Sequence, residues 1–183
     1  MIRVKFLSKV PVHEWARYFQ DEQMVIGNCQ FIFDHKDKRY DWLVVYDDFP
    51  FEPGSKRVVE SERLSCPRQQ TLLVTTEPSS IKSYGRAYTT QFGYVLTSQE
   101  PWALPHPNRI YSQSGLRWFY GVGDQHIRSL NDMINAAPPD KTKLISAASS
   151  NKRQRHTLHY TRYRFVQSLQ RAIPELDVFG HGI

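Results

Sequence analysis

The chain has little cysteine. Cys29 and Cys66 are the only two, far apart and without a Cys-x-x-Cys spacing. That argues against a thiolate zinc site and against a disulfide-stapled scaffold. A reducing compartment is the simpler expectation, with a bridge between the two left open. No apolar run approaches the ~18 residues that a membrane-spanning helix needs. Residues 1–7 (MIRVKFL) are too short and too charged for a secretory signal. Internal repeats and low-complexity tracts are absent. His106, His126, His156, His159 and His181 show no metal-ligand spacing, so no metal and no cofactor are expected. These absences point to a soluble, cytoplasmic protein whose contact with a membrane, if any, is peripheral.

What is present suits a folded domain. The 183 residues fit one ordinary domain, or one domain and a small piece. Hydrophobic residues make up 40% against 23% charged, enough to fold rather than stay disordered. The aromatic share, 13%, is high, and such side chains serve cores as well as sugar- or base-facing surfaces. Lys and Arg number 24 against 18 acids, a net +6. An anionic partner fits that balance, whether a nucleotide diphosphate, nucleic acid or a membrane surface, and so does plain solubility.

Short apolar runs alternate with helical patterns. Ile2, Val4 and Phe6 alternate with Arg3 and Lys5 as in a strand, and residues 11–20 follow as a helix with Pro11 in its first turn. Residues 30–34 (QFIFD), 42–46 (WLVVY), 71–75 (TLLVT) and 92–97 (FGYVLT) read as further strands. Residues 49–54 are rich in turn formers. A helix is expected over 79–88 and another over 125–135. Residues 99–125, with their Pro and Gly, read as loop with one short strand near Trp118, Phe119 and Tyr120. Pro138-Pro139-Asp140 reads as a linker, which divides the chain into residues 1–137 and 138–183. Beyond it come a strand at 143–146, a turn at 147–151, and a helix whose Leu158, Arg162, Phe165, Leu169 and Ile173 share one face. A strand-like segment at 177–180 follows. The order predicts an α/β fold with a mostly parallel, Rossmann-like sheet. In such sheets ligands sit outside the carboxyl ends of the strands. Asp47, Asp48, Glu77 and the turn at Ser149, Ser150 and Asn151 are therefore the places to look.

Three stretches in order carry a family likeness. They are residues 74–79 (VTTEPS), residues 91–98 (QFGYVLTS), and the set 143–152, 162–169 and 177–180. Together they resemble glycosyltransferase family 10, the α1,3/4-fucosyltransferases. Each motif alone is poorly specific; their order and spacing say more. The likeness spans roughly residues 70–183. It implies two facing Rossmann-like halves of GT-B type, the first binding a glycan acceptor and the second the nucleotide-sugar donor, GDP-fucose. It also implies that the chain stops before the family's later Y-K-F…E-N and T-E-K segments. The expectation is an acceptor-side domain with the beginning of a truncated donor domain, inactive on its own.

The same likeness places the catalytic base at Glu77. A carboxylate at a strand's carboxyl end points into the crevice where an acceptor hydroxyl would lose its proton. The plainer alternative is a helix-start carboxylate facing the positive end of the helix dipole. Arg162 matches the family's donor-phosphate arginine, because a guanidinium binds a diphosphate bidentately. A structural salt bridge, or a side chain reaching to water, is the alternative. Asn151 and Lys152 stand before the same helix, where they would either add donors for an anion or simply cap it. Adjacent Asp47 and Asp48 point apart on a strand and suit a turn better than one shared ion. The basic run at 152–156 suits a solvated helix start better than nucleic acid, which ranks last among the partners. The alternative to an enzyme is a non-catalytic sugar- or protein-binding remnant with a Rossmann-like core.

Overall fold

A computed structural model of the protein describes residues 1–52, 54–59, 61–113, 115–117, 120–122, 127–155 and 157–180. The chain divides into two compact units, Met1–Ala136 and Ala137–Ile183. The first contains β1 (Ile2–Ser8), α1 (Val12–Ala16), β2 (Val25–Ile26), β3 (Cys29–Ile32) and β4 (Trp42–Tyr46). These are followed by β5 (Thr71–Val74), α2 (Arg86–Thr89), β6 (Tyr94–Thr97), β7 (Arg109–Tyr111) and α3 (Leu130–Asn135). All seven strands join one sheet in the order β2-β3-β1-β4-β5-β6-β7. Every pairing is parallel except that of β2 with β3. The fold class is α/β with a mostly parallel sheet, an arrangement compatible with a Rossmann-like domain.

Strand alternation sorts the core onto two faces. Lys5 and Leu7 of β1, Leu43 and Val45 of β4, Leu73 of β5 and Val95 of β6 are all buried. The aliphatic members of that set cluster with Tyr40, Cys66, Tyr84, Phe92 and Leu104. Side chains of the opposite parity build an aromatic layer: Phe6 meets Trp15 edge-on with ring centres 4.8 Å apart. Trp15 also meets Tyr46 at 4.9 Å, and Phe19 meets Phe31 at 5.5 Å. This is why so short a helix as α1 holds its place: Trp15 anchors it to the sheet.

Lys5 is the anomaly, a lysine with no exposed surface in the middle of β1, an interior strand of the sheet. Its ammonium donates to the His35 carbonyl at 2.6 Å and to Glu62 at 2.9 Å, and lies 5.3 Å from the centre of the Tyr40 ring. A buried charge is tolerated only when paired in this way. Lys38 reaches the same Glu62 oxygen from outside, its own side chain 53% exposed. Both cysteines are free thiols.

Several expected elements shift. The helix expected over 79–88 is reduced to α2, because the carbonyls of Glu77 and Lys82 are taken by the Gln99 amide at 2.8 and 2.9 Å. The short strand in the 99–125 region is β7, which runs beside β6 from Val95↔Arg109 to Thr97↔Tyr111. Trp118 and Phe119, where a strand was expected, lie outside the described residues, as do Gln125, His126, His156 and His181. The helix expected over 125–135 is described as α3, opened by a capping box between Ser129 and Asp132.

The second unit is a βαβ motif: β8 (Ile145–Ala148), α4 (His159–Ala172) and β9 (Leu176–Phe179), with β8 and β9 parallel from Ile145↔Leu176 to Ala148↔Phe179. Only part of the face that the apolar spacing suggests is turned inward: Leu169 and Ile173 are half-buried. Leu158 and Phe165 stand 76% and 63% exposed, while Tyr163, Val166 and Gln167 are half-buried. Two strands cover only a narrow strip of helix. Hydrogen bonds to the Tyr163 hydroxyl from Arg153 at 3.0 Å and Gln167 at 2.6 Å hold that strip in place.

Replacing Lys5 by Ala leaves the nearly covered Glu62 carboxylate with only the exposed Lys38 as an ion-pair partner, and is expected to cost up to about 3–5 kcal/mol in urea denaturation. Lys38→Ala removes only the exposed partner and is expected to cost less than about 1 kcal/mol. Equal losses from the two variants would refute the ranking.

Candidate functional site

Leaving aside the antiparallel β2, the chain runs from β1 to β3 on one side and then crosses to β4 on the other. In a doubly wound sheet such a reversal opens a crevice at the carboxyl ends of the strands. A cavity of about 260 Å³ lies there. Its apolar wall includes Phe6, Phe33, Pro50 and Phe51, and its polar groups include Lys9 and His35. Lys9 pairs with Asp48 at 2.7 Å and stands 5.6 Å from the centre of the Phe51 ring. An aromatic wall with a few fixed polar groups suits one face of a sugar ring.

Along the same edge, the end of β4 holds a denser polar cluster. Asp47 has the left-handed backbone conformation, φ 67°. Its amide continues the ladder by donating to the Val74 carbonyl at 2.8 Å, while its side chain turns towards residues 76–84. One carboxylate oxygen accepts from Thr76 Oγ1 at 3.0 Å and from the Tyr84 hydroxyl, and it pairs with Lys82 Nζ at 3.0 Å. Lys82 in turn lies 4.7 Å from the centre of the Tyr84 ring. Burial alone would raise the Asp47 carboxyl. The hydrogen bonds from Tyr84 and Lys82, the Lys82 charge and Thr76 outweigh burial and hold it below the usual carboxylate range. Burial, and then the bond to Asp47, push Tyr84 well above an ordinary phenol. Tyr88 is raised chiefly by burial, helped by the charges of Asp48 and Asp47.

Glu77 stands at the carboxyl end of β5, one residue beyond Thr76, and is half-buried. Its backbone carbonyl accepts from Gln99, but its carboxylate has no partner among the described residues. The three acids of this edge therefore differ. Asp47 is engaged through one oxygen by Thr76, Lys82 and Tyr84, Asp48 is tied to Lys9 and to the Phe49 amide, and the Glu77 carboxylate has no partner among the described residues. Asp47 and Asp48 take different partners, so they do not form one ion site. No group of three His, Cys, Asp or Glu side chains able to hold a metal occurs among the described residues.

The second unit has its own cavity, of about 280 Å³, where β8 ends. Asn151, Arg153, Tyr163, Gln167 and Gln170 line it. Lys152 is exposed beside it. Arg162 is exposed and outside the lining, its guanidinium 2.8 Å from His159 Nδ1 one turn back. Because Leu158 and Phe165 are also exposed, Arg162 is not a buried charge. Among the candidate site residues, Asn151 thus faces the cavity, Lys152 flanks it, and Arg162 belongs to the solvent side of α4. Glu77 belongs to the other unit.

Sequence reasoning passed over Arg153 as part of a solvated basic run, and over Thr76, Lys82, Tyr84 and Gln99 altogether. A hydroxyl, an ammonium and a phenol at irregular spacing carry no periodic signal; only the fold brings them to Asp47. Among the described residues, no helix is long and apolar enough to cross a membrane. Compared with known proteins, the chain matches no family model, no curated protein and no solved structure.

The Asp47 cluster has a pH signature. Its folded pKa is lowered, so its stabilisation is complete above the unfolded value of about 3.9 and is lost as pH falls through the folded value. Between about pH 5 and pH 2.5 the urea midpoint is expected to fall more for the wild type than for Asp47→Asn. Parallel curves would show that the cluster contributes nothing in acid.

Proposed function

We propose that the chain is fucosyltransferase-like, with its first unit the acceptor side and its second the start of the donor side of a two-lobed GT-B-type glycosyltransferase. The observation that carries the reading is the unpartnered, half-buried Glu77 carboxylate at the carboxyl edge of the parallel sheet, beside two aspartates already engaged. In an inverting transfer from GDP-fucose, an acceptor hydroxyl oxygen forms a bond to the anomeric carbon of fucose. The bond from that carbon to the diphosphate oxygen breaks, its electron pair leaves with GDP, and configuration inverts. Glu77 takes the proton of the hydroxyl as general base. The aromatic cavity by β1 and β4 supplies an acceptor surface. On the donor side, the Asn151 amide and the Arg153 guanidinium offer hydrogen-bond donors for the diphosphate, with Lys152 adding charge.

The alternative is a non-catalytic sugar- or protein-binding module, and the aromatic wall of the first cavity favours it. Glycan binding that survives Glu77→Ala, with no transfer from GDP-fucose even after fusion to a matching donor half, would select that alternative. The enzyme reading expects calorimetry to detect GDP-fucose binding. For the chain fused to a matching donor half, it also expects Glu77→Gln to lower transfer by about a hundredfold or more, in the range of a lost general base, with little change in donor affinity. Absence of GDP-fucose binding counts against it.

On the donor side, Arg153→Ala is expected to weaken GDP-fucose binding by about tenfold, a typical loss for one charge-assisted contact. Arg162→Ala is expected to weaken it less. The reverse ranking in calorimetry would move the diphosphate to the other side of α4.

A further inference from the structure

We infer that Asp47 is a positioning residue for Glu77: it fastens residues 76–84 to the end of β4 and so fixes where the free carboxylate stands. This inference rests on the reading of Glu77 as the acceptor-side base.

The segment that carries Glu77 makes no regular structure of its own until α2 begins at Arg86. It is held instead at three points. Thr76, immediately before Glu77, donates to Asp47 at 3.0 Å. Lys82 and Tyr84, at the far end, close on the same carboxylate oxygen. Gln99, which has almost no exposed surface, donates to the carbonyls of Glu77 and Lys82. Two of these anchors converge within the Asp47 side chain or act through it, and the third grips the backbone on the β6 side. Glu77 lies between them, with its own side chain left unbound.

The backbone of Asp47 supports the assignment. A left-handed conformation is costly for most side chains but tolerated by Asp and Asn. It lets one residue serve two ends: the amide stays in the β4–β5 ladder while the carboxylate leaves the plane of the sheet towards Thr76. Asp48, next in the chain, turns to Lys9 and the wall of the aromatic cavity. The end of β4 thus connects the two parts of the acceptor side, the surface and the base. Asn at position 47 keeps the backbone preference but loses the charge that binds Lys82 and one of the oxygen acceptors, so Asp47→Asn separates the latch from the turn.

The test compares wild type, Asp47→Asn and Glu77→Gln, each selectively labelled with ¹³C at the glutamate carboxylates, the Glu77 signal being assigned by its loss in Glu77→Gln. Lactose, N-acetylglucosamine and galactose serve as probe sugars. In the wild type a probe sugar shifts the Glu77 signal. In Asp47→Asn that shift is lost, while the affinity of the same sugar changes by no more than about threefold. Amide exchange over residues 76–84 rises by about tenfold or more in Asp47→Asn, with the amides of β4 and β5 unchanged. An Asp47→Asn chain that keeps both the sugar-induced shift and wild-type exchange overturns the positioning role while leaving the base reading intact. A wild-type chain whose Glu77 signal responds to none of the three sugars overturns the base reading and the positioning role with it. Exchange accelerated equally throughout β4 and β5 shows Asp47 to be a general stability determinant, and also overturns the role.

Discussion

The first unit depends on one ion pair at its centre. The Lys5 ammonium is entirely covered, and only the Glu62 carboxylate, the His35 carbonyl and the Tyr40 ring make that position tolerable. Glu62 belongs to the long connection between β4 and β5, and His35 and Tyr40 to the connection between β3 and β4. One charge on β1 thus gathers two irregular segments onto the buried face. Those segments help roof the core that contains Leu43, Val45 and Leu73. Loops of this length have little reason of their own to hold one conformation, and a buried charge leaves them few alternatives.

From that anchored sheet the chemistry is displayed at one edge. The strands run parallel, so their carboxyl ends lie together, and consecutive residues at those ends meet different fates. At the end of β4, Asp47 faces Tyr84 and Asp48 faces Lys9; at the end of β5, Thr76 is consumed by Asp47 while Glu77 is not. What distinguishes Glu77 is that the two aspartates at the end of β4 already have side-chain partners and it does not. A half-buried carboxylate without a partner keeps hydrogen-bonding capacity that its neighbours have already used.

Much of the sheet was legible in the sequence. WLVVY and TLLVT read as continuous apolar strands because both faces of a parallel strand are covered, and they occur as β4 and β5. The stretch at 79–88 misled because its helical composition loses to tertiary hydrogen bonds: Gln99 claims the carbonyls that a helix would have used. In α4 the element was legible but its orientation only in part. An apolar stripe forecasts a buried face only when something wide enough lies opposite, and β8 and β9 cover a strip centred on Tyr163. Glu77 could be singled out from its place after a strand. Its freedom could not, since that depends on Asp47, Lys82 and Tyr84 satisfying one another.

The lysine in β1 has a second consequence, for the chain during synthesis. Residues 2–8 emerge before their partners Cys29 and Trp42, so β1 waits unpaired. A bare IRVKFLS segment of high β propensity is a template for self-association. A positive charge in its middle, with Arg3 nearby, discourages stacking with identical copies. The ammonium that ends with no exposed surface in the folded unit is thus, until Glu62 is made, a charge set within an apolar strand sequence.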